Sequence, residues 1–289
     1  MGLLQEKLAK YDLPQKFMAQ GVYPYFREIE GKQGTEVEMG GHEVLMFGSN
    51  AYTGLTGDER VIEAGIQAMH KYGSGCAGSR FLNGTLDLHV QLEKELAAFV
   101  GKDEAHGLGV FGKQGRGVCD HFGLTHEVDL IMGTFSKSLA SIGGFIAADS
   151  SIINWLRHNA RTYIFSASNT PAATASALEA LHIIQNEPER LEALWEATNY
   201  ALKRFREAGF EIGATESPII PLYVRDTEKT FMVTKLAFDE GVFINPVIPP
   251  ACAPQDTLVR VALMATHTKE QIDRAVEKLV KAFKTLDIL

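Results

Sequence analysis

The chain has 289 residues, 45% of them hydrophobic, and carries 28 Lys and Arg against 36 Asp and Glu for a formal net charge of -8. That length and apolar content can fill the core of one large or two smaller domains, while the negative balance gives the surface as a whole no attraction for nucleic acid or anionic membrane. The three cysteines, Cys76, Cys119 and Cys252, are far apart, odd in number and without metal-ligand spacing, which argues against a disulfide framework or a metal site and for reducing cytoplasm.

Residues 1–10 mix charged and apolar positions, and no later run is apolar for long enough to cross a bilayer, so a soluble protein without a transmembrane segment is expected. Residues 3–20 show two short helical patterns broken at Pro14, and a glycine-punctuated, hairpin-like stretch runs on to Phe47. Amphipathic helices are predicted over 58–72 and 87–100, the second with Leu88, Leu92, Leu96 and Phe99 on one face. Between them lies the loop Gly73-Ser74-Gly75-Cys76-Ala77-Gly78-Ser79-Arg80, whose glycines permit close backbone approach. Residues 101–125 carry seven glycines and neither a helical nor a strand pattern, a length that is unusual for a plain loop in a compact domain. Strands follow over 128–134 and 144–148, then helices over 171–185 and 188–208. From there strand and helix alternate (219–224, 227–240, 242–247, 258–263, and a closing helix from Lys269), the pattern of a small α/β domain.

Chemistry points first to Lys137. It lies in Gly133-Thr134-Phe135-Ser136-Lys137-Ser138, just after a strand and among hydroxyl and glycine residues. Pyridoxal phosphate chemistry needs an amine for the aldehyde, a carboxylate for the ring nitrogen, a hydrogen bond to the ring oxygen and donors for the phosphate. Lys137, Asp103, His106 and the Thr134/Ser136 pair offer one candidate for each. A solvated lysine, a helix-capping aspartate and a surface histidine are the alternative readings of the same residues. Arg260, in Leu258-Val259-Arg260-Val261-Ala262, shares a strand face with apolar residues and so calls for a partner, either a substrate carboxylate or a structural salt bridge.

Four motifs in order carry a resemblance over nearly the whole chain. They are Gly75-Cys76-Ala77-Gly78-Ser79-Arg80-Phe81-Leu82-Asn83-Gly84-Thr85 with Asp87-Leu88-His89, Asp103-Glu104-Ala105-His106-Gly107, the Lys137 run, and the segment from Arg260 to Thr268. Together they resemble the α-oxoamine synthase family, nearest to its bacterial branch that joins L-serine to a long-chain acyl-CoA. The resemblance implies an α/β fold, that of a fold type I pyridoxal-phosphate transferase (aminotransferase-like), with an N-terminal arm (1–56), a large cofactor domain (57–186) and a small C-terminal α/β domain (187–289). It implies pyridoxal 5'-phosphate held by Lys137, with Asp103 on the ring nitrogen, His106 on the ring oxygen, and Thr134 at the phosphate, joined there by Ser166 of the partner subunit in a site shared across a homodimer; Ser136 remains a candidate phosphate donor from its own context. Lys137 and His106 would be catalytic, and Arg260 and Asn50 would hold the substrate carboxylate. The implied reaction is a decarboxylative condensation giving 3-ketosphinganine, the first step of sphingolipid synthesis. Relatives that join glycine to acetyl-CoA, or alanine to a pimeloyl thioester, are the alternatives.

The chain is shorter than members of that family by roughly a hundred residues, more than half a typical domain. The shortfall falls between Lys102 and His106, where the helix over 87–100 runs directly into the Asp-Glu-Ala-His signature. The large domain is therefore expected to be heavily truncated and the small domain intact. A catalytically inactive internal-deletion variant is a further alternative. The remaining strands 128–134 and 144–148 are expected to be remnants of a broad, mostly parallel sheet.

Overall fold

The computed structural model describes residues 2–9, 11–100 and 107–289. From the N-terminus, α1 (Leu3–Leu8) and α2 (Leu13–Ala19) precede a hairpin of β1 (Glu36–Met39) and β2 (His42–Met46). Helices α3 (Glu59–Tyr72), α4 (Arg80–Asn83) and α5 (Asp87–Val100) come next. Beyond residues 101–106 the order is α6 (Val118–His121), β3 (Leu130–Thr134), β4 (Gly144–Ala148), α7 (Ser150–Asn159), α8 (Arg161–Ile164), α9 (Pro171–Asn186) and α10 (Glu189–Glu207). The chain ends with β5 (Ile219–Tyr223), α11 (Thr227–Asp239), β6 (Val242–Phe243), β7 (Asn245–Val247), β8 (Leu258–Ala262) and α12 (Lys269–Thr285).

Two compact units result. One joins Met1–Gly48, Asn199–Ala262 and Thr268–Leu289; the other joins Ser49–Thr198 and Leu263–His267. In the first, β2 pairs antiparallel with β1 and parallel with β6, so the N-terminal segment and the C-terminal strands share one sheet. A second sheet, in the order β5-β8-β7, is antiparallel throughout. Helix α12 opens with a reciprocal cap, Thr268 receiving the Gln271 N–H while the Gln271 side chain receives the Thr268 N–H. Its buried face, Ile272, Ala275, Val276, Leu279 and Phe283, repeats at helical spacing.

The second unit is built on α3, α5 and α9. Thr170 caps α9 through the Ala173 N–H and Pro171 fills the first turn. The Ser176 hydroxyl donates to the Val61 carbonyl, where Gly65 lets α3 approach α9. Leu88, Leu92, Leu96 and Phe99 line the α5 side of this core, as their spacing predicts, and Phe135 and Leu139 join it from the lysine segment.

Several expectations are corrected. Pro14 starts α2 instead of breaking a helix, because the first turn needs no N–H there. The single strand expected over 242–247 is two, β6 in one sheet and β7 in the other, with Ile244 at the change of sheet. Strands β3 and β4 pair antiparallel as a hairpin, so no parallel ladder remains between them. Helices α4, α7 and α8 do not follow from the sequence reading: α4 and α8 are four residues each, too short for a periodic stripe to register, and α7 is a ten-residue helix that buries none of its side chains. The glycine-rich stretch, within its described part, holds a 3-10 turn at Lys113–Gly115 and the single-turn α6.

Candidate functional site

Strand β3 ends at Thr134, and residues 135–141 form a tight turn that carries Lys137. Phe135 (2% exposed) and Leu139 (fully buried) flank the lysine at two residues on either side and fix the turn in the core. The Ser141 amide donates to the Phe135 carbonyl and the Ala140 amide to the Lys137 carbonyl, while the Ser141 hydroxyl ties the turn to α9 at Ala173 O, 2.6 Å away. Ala140 sits in the left-handed region (φ 50°), a strained conformation of the kind found where a functional turn is over-determined by its surroundings.

Lys137 itself is half-buried, with no hydrogen bond or ion pair to its side chain among the described residues. The Thr134 and Ser136 hydroxyls lie 3.0 Å apart. Thr134 Oγ1 donates to the Gly143 carbonyl at 3.2 Å and accepts the Ser136 N–H at 3.3 Å, so its proton is committed to the backbone. Ser136 is exposed, and its hydroxyl can turn from Thr134 to an incoming anion. An amine with no competing partner among the described residues, carried on the same turn as a swinging hydroxyl and a fixed one, is a donor set suited to an aldehyde that carries a phosphate.

The turn is backed by residues that sequence reasoning missed. Thr53 Oγ1 donates to the Ser138 carbonyl at 2.8 Å in a fully buried contact, and the Thr53 carbonyl accepts from Arg190, which also pairs with Asp58 at 3.2 Å. The segment from Gly107 folds over the same turn: Gly109 has φ 74°, and a Cβ there would lie 2.5 Å from Ser138 Cβ. Gly109 N–H donates to Gly115 O at 2.7 Å, and Trp195 Nε1 holds the loop by donating to Val110 O at 2.8 Å. Of the glycines in this stretch, Gly109 serves backbone approach to the lysine turn, while Gly112 and Gly115 serve close packing within the loop itself. Ser138 Oγ, 2% exposed as a residue, has no hydrogen-bond partner among the described residues.

Of the other predicted site residues, Asn50 and Ser166 lie in the same unit as Lys137. Asn50 is half-buried, its carbonyl accepting the Tyr52 N–H at 2.8 Å and its side chain the Tyr52 hydroxyl at 3.5 Å. Ser166 is exposed in the segment after α8. Arg260 belongs to the other unit, on the middle strand β8, opposite Pro221 and Asn245; it shares a half-buried face with Leu258, while Val259 and Val261 face the core. Asp103 and His106 lie outside the described residues. No helix among the described residues is long and apolar enough to cross a membrane.

Comparison with known proteins places these features in a family. Residues 102–279 match the family described as aminotransferase class I and II. The chain is 72% identical over 394 aligned positions to serine palmitoyltransferase of Bacteroides ovatus, with 100% of both covered. It is 28% identical to 8-amino-7-oxononanoate synthase of Petrotoga mobilis, covering 95% of this chain and 97% of that one. In fold it is similar to the solved serine palmitoyltransferase of Sphingomonas wittichii, with a TM-score of 0.94 at 24% identity and 100% of both chains covered. The Bacteroides alignment is 394 positions long where the chain has 289 residues, consistent with an internal deletion.

Proposed function

Because the chain belongs to the aminotransferase class I and II family, we propose that its chemistry is of the serine palmitoyltransferase type: pyridoxal phosphate-dependent condensation of L-serine with a long-chain acyl-CoA to 3-ketosphinganine, releasing CoA and carbon dioxide. The observation that carries this reading is the Lys137 turn, which holds a half-buried amine without a partner among the described residues and, on the same turn, the Thr134/Ser136 hydroxyl pair, in a chain 72% identical to a serine palmitoyltransferase. The synthases that use a pimeloyl thioester are more distant relatives.

The residues of the turn fit the cofactor, since they supply an amine for its aldehyde and hydroxyl donors for its phosphate. When bound, pyridoxal phosphate supplies an electron sink that lets a bond at the amino-acid α-carbon break. Lys137 holds the cofactor and moves the proton at the α-carbon. Thr134 contacts the phosphate, and Ser136, whose hydroxyl is free to turn, adds a donor at the same end. Ser166 acts on the site of a second copy in a homodimer. Arg260 and Asn50 hold the serine carboxylate, the guanidinium doing so with two parallel N–H donors. Asp103 pairs with the ring nitrogen and His106 with the ring oxygen. These roles follow the family resemblance residue by residue, as do the division into arm, cofactor domain and small domain, and a cytoplasmic location.

A second reading, a form that has lost turnover, is favoured by the chain length, 289 residues against 394 aligned positions, and by a family match that begins only at residue 102. One experiment separates the two. CoA release is measured with L-serine and palmitoyl-CoA, for this chain and for a version carrying the Bacteroides segment between Lys102 and Asp103. Misplacement of reacting groups by about 1 Å can cost on the order of a hundredfold, so the short chain is expected to be at least that much slower. Equal turnover would refute the deletion reading; no turnover by the restored version would refute the proposed reaction.

A further inference from the structure

We propose that His89 is a positioning residue for the Thr134/Ser136 hydroxyl pair, acting through the segment that follows Ser166. The inference rests on the reading of that pair as the phosphate end of the site. His89 lies on α5, where it is 5% exposed, on the face that packs into the core. Its Nε2 is 2.9 Å from the Asn169 carbonyl. A carbonyl oxygen only accepts, so Nε2 carries the hydrogen and donates. Nδ1 is buried without a partner among the described residues, which leaves the Asn169 contact as the ring's polar function. Cys76 Sγ, from the glycine loop, donates to the same oxygen at 3.5 Å. Two donors from separate elements thus converge on one backbone carbonyl.

That carbonyl belongs to a residue placed against the lysine turn. Gly143 has φ 122°, and a Cβ there would lie 2.5 Å from Asn169 Nδ2, so the Asn169 amide occupies the space a side chain would take. The Gly143 carbonyl in turn accepts from Phe135 N–H at 3.0 Å and from Thr134 Oγ1 at 3.2 Å. The path is therefore His89 and Cys76 to Asn169, Asn169 to Gly143, and Gly143 to the Thr134 hydroxyl. Commitment of the Thr134 proton to Gly143 leaves the exposed Ser136 hydroxyl as the group that meets the anion. Ser168, next to Asn169, is held from the same glycine loop, its N–H and hydroxyl both donating to Gly78 O at 3.1 and 3.3 Å. The loop and α5 together form a clamp on 168–169, two and three residues beyond Ser166.

The test uses the chain as it stands, with His89→Phe, which keeps a ring and loses the donor, and His89→Gln, which returns a donor near the Nε2 position. Amide hydrogen exchange is followed at 134–145 and 166–170, with α3 and α9 as internal references. Loss of the shorter of its two hydrogen bonds leaves the Asn169 carbonyl with only the weak Cys76 thiol donor, which predicts exchange about tenfold faster in those two segments for His89→Phe. Restoration by His89→Gln, with α3 and α9 unchanged in both, is the expected result. Unchanged exchange in His89→Phe, or acceleration spread over α3 and α9 in both variants, overturns the proposal. If His89→Phe does not fold, Cys76→Ala removes the second donor without altering the core and is expected to give a smaller change confined to the same segments; no change there counts against the clamp. A second arm measures borohydride-trapped labelling of Lys137 by pyridoxal phosphate and by pyridoxal. Phosphate selectivity should fall several-fold in His89→Phe and return in His89→Gln. Equal labelling by the two reagents in the unaltered chain refutes the phosphate reading of the hydroxyl pair, and the exchange result then stands alone as evidence about the clamp.

Discussion

Replacing Gly109 by Ala tests whether the glycine-rich loop exists to bring backbone against the lysine turn. Gly109 has φ 74°, where an L side chain costs about 1–2 kcal/mol. The new Cβ would lie 2.5 Å from Ser138 Cβ, 2.7 Å from Ser138 Oγ and 3.3 Å from Thr53 Cγ2. Neither Ser138 nor Thr53 can withdraw freely, because the Thr53 hydroxyl holds the Ser138 carbonyl in a buried bond. Overpacking of this kind costs about 1–3 kcal/mol, so the whole substitution should cost about 2–5 kcal/mol. Adding Ser138→Gly removes the two closest atoms but leaves the backbone strain. The pair should therefore show a coupling of about 1–3 kcal/mol in a double-mutant cycle. The assay is urea unfolding read by Trp195 fluorescence in a Trp155→Phe background, since Trp195 donates to Val110 in the same loop and reports it locally. Additive effects of the two substitutions, or a cost for Gly109→Ala below about 0.5 kcal/mol, would refute the packing argument.

Borohydride reduction of the chain with pyridoxal phosphate, followed by peptide mapping, should place the label on Lys137; a label mainly on another lysine such as Lys113 would remove Lys137 from the site. In the version with the segment restored, Arg260→Lys should weaken serine binding far more than acyl-CoA binding, because an ammonium cannot offer two parallel donors; titration of the cofactor spectrum with serine reads it, and unchanged serine affinity would leave Arg260 a structural role. Acid should loosen the Lys137 unit through Asp58 and Glu187. The hydrogen bond from Arg60 holds each carboxyl below the usual carboxylate range, with Arg190 acting in the same direction. Carboxyls depressed in the folded state stabilise it above their unfolded values and lose that contribution as pH falls through the folded ones. The unfolding midpoint should thus move to lower denaturant concentration below about pH 4, and only slightly, because Arg60 is half exposed. Asp58→Asn should flatten that dependence, and an identical acid profile in the variant would count against it.

The parts of this fold that were legible in the sequence are those set by local pattern. Leu88, Leu92, Leu96 and Phe99 announce the buried face of α5 through their spacing, and the run around Lys137 announces a strand-end turn through its residue types. Contacts that depend on distant partners were not legible. Thr53 and Ser138 are 85 positions apart and His89 and Asn169 are 80, and nothing in either local sequence marks the pairing. His89 did carry one signal: it falls on the apolar face of its helix, where a polar side chain needs a partner. The antiparallel pairing of β3 with β4 and the division at Ile244 were not readable either, because residue preference says that a strand forms but not which neighbour it meets or in which direction.

The same hairpin shows why the lysine end of the site persists in a shortened chain. Its inner face, with Ile131, is packed into the unit, and the turn beyond it is anchored by Phe135, Leu139 and the Ser141 bond to α9. All of those anchors come from segments this chain retains. The opposite face carries Leu130, Met132 and Ile146, which are 42%, 53% and 41% exposed, with Met132 and Ile146 directly paired across the strands. Strands that are apolar on both faces belong to a sheet covered on both sides. Among the described residues one cover is present and the other is absent, which is the structural counterpart of 289 residues aligned over 394 positions. The orientation of Lys137 is therefore governed by the retained face, whereas anything that must approach from the bare face lacks a wall to hold it. Restoring the segment should accordingly bury Leu130, Met132 and Ile146, which oxidation of Met132 by dilute peroxide can read directly: it should proceed readily in the short chain and slowly in the restored one. Equal oxidation rates in the two would show that the missing segment does not cover this face.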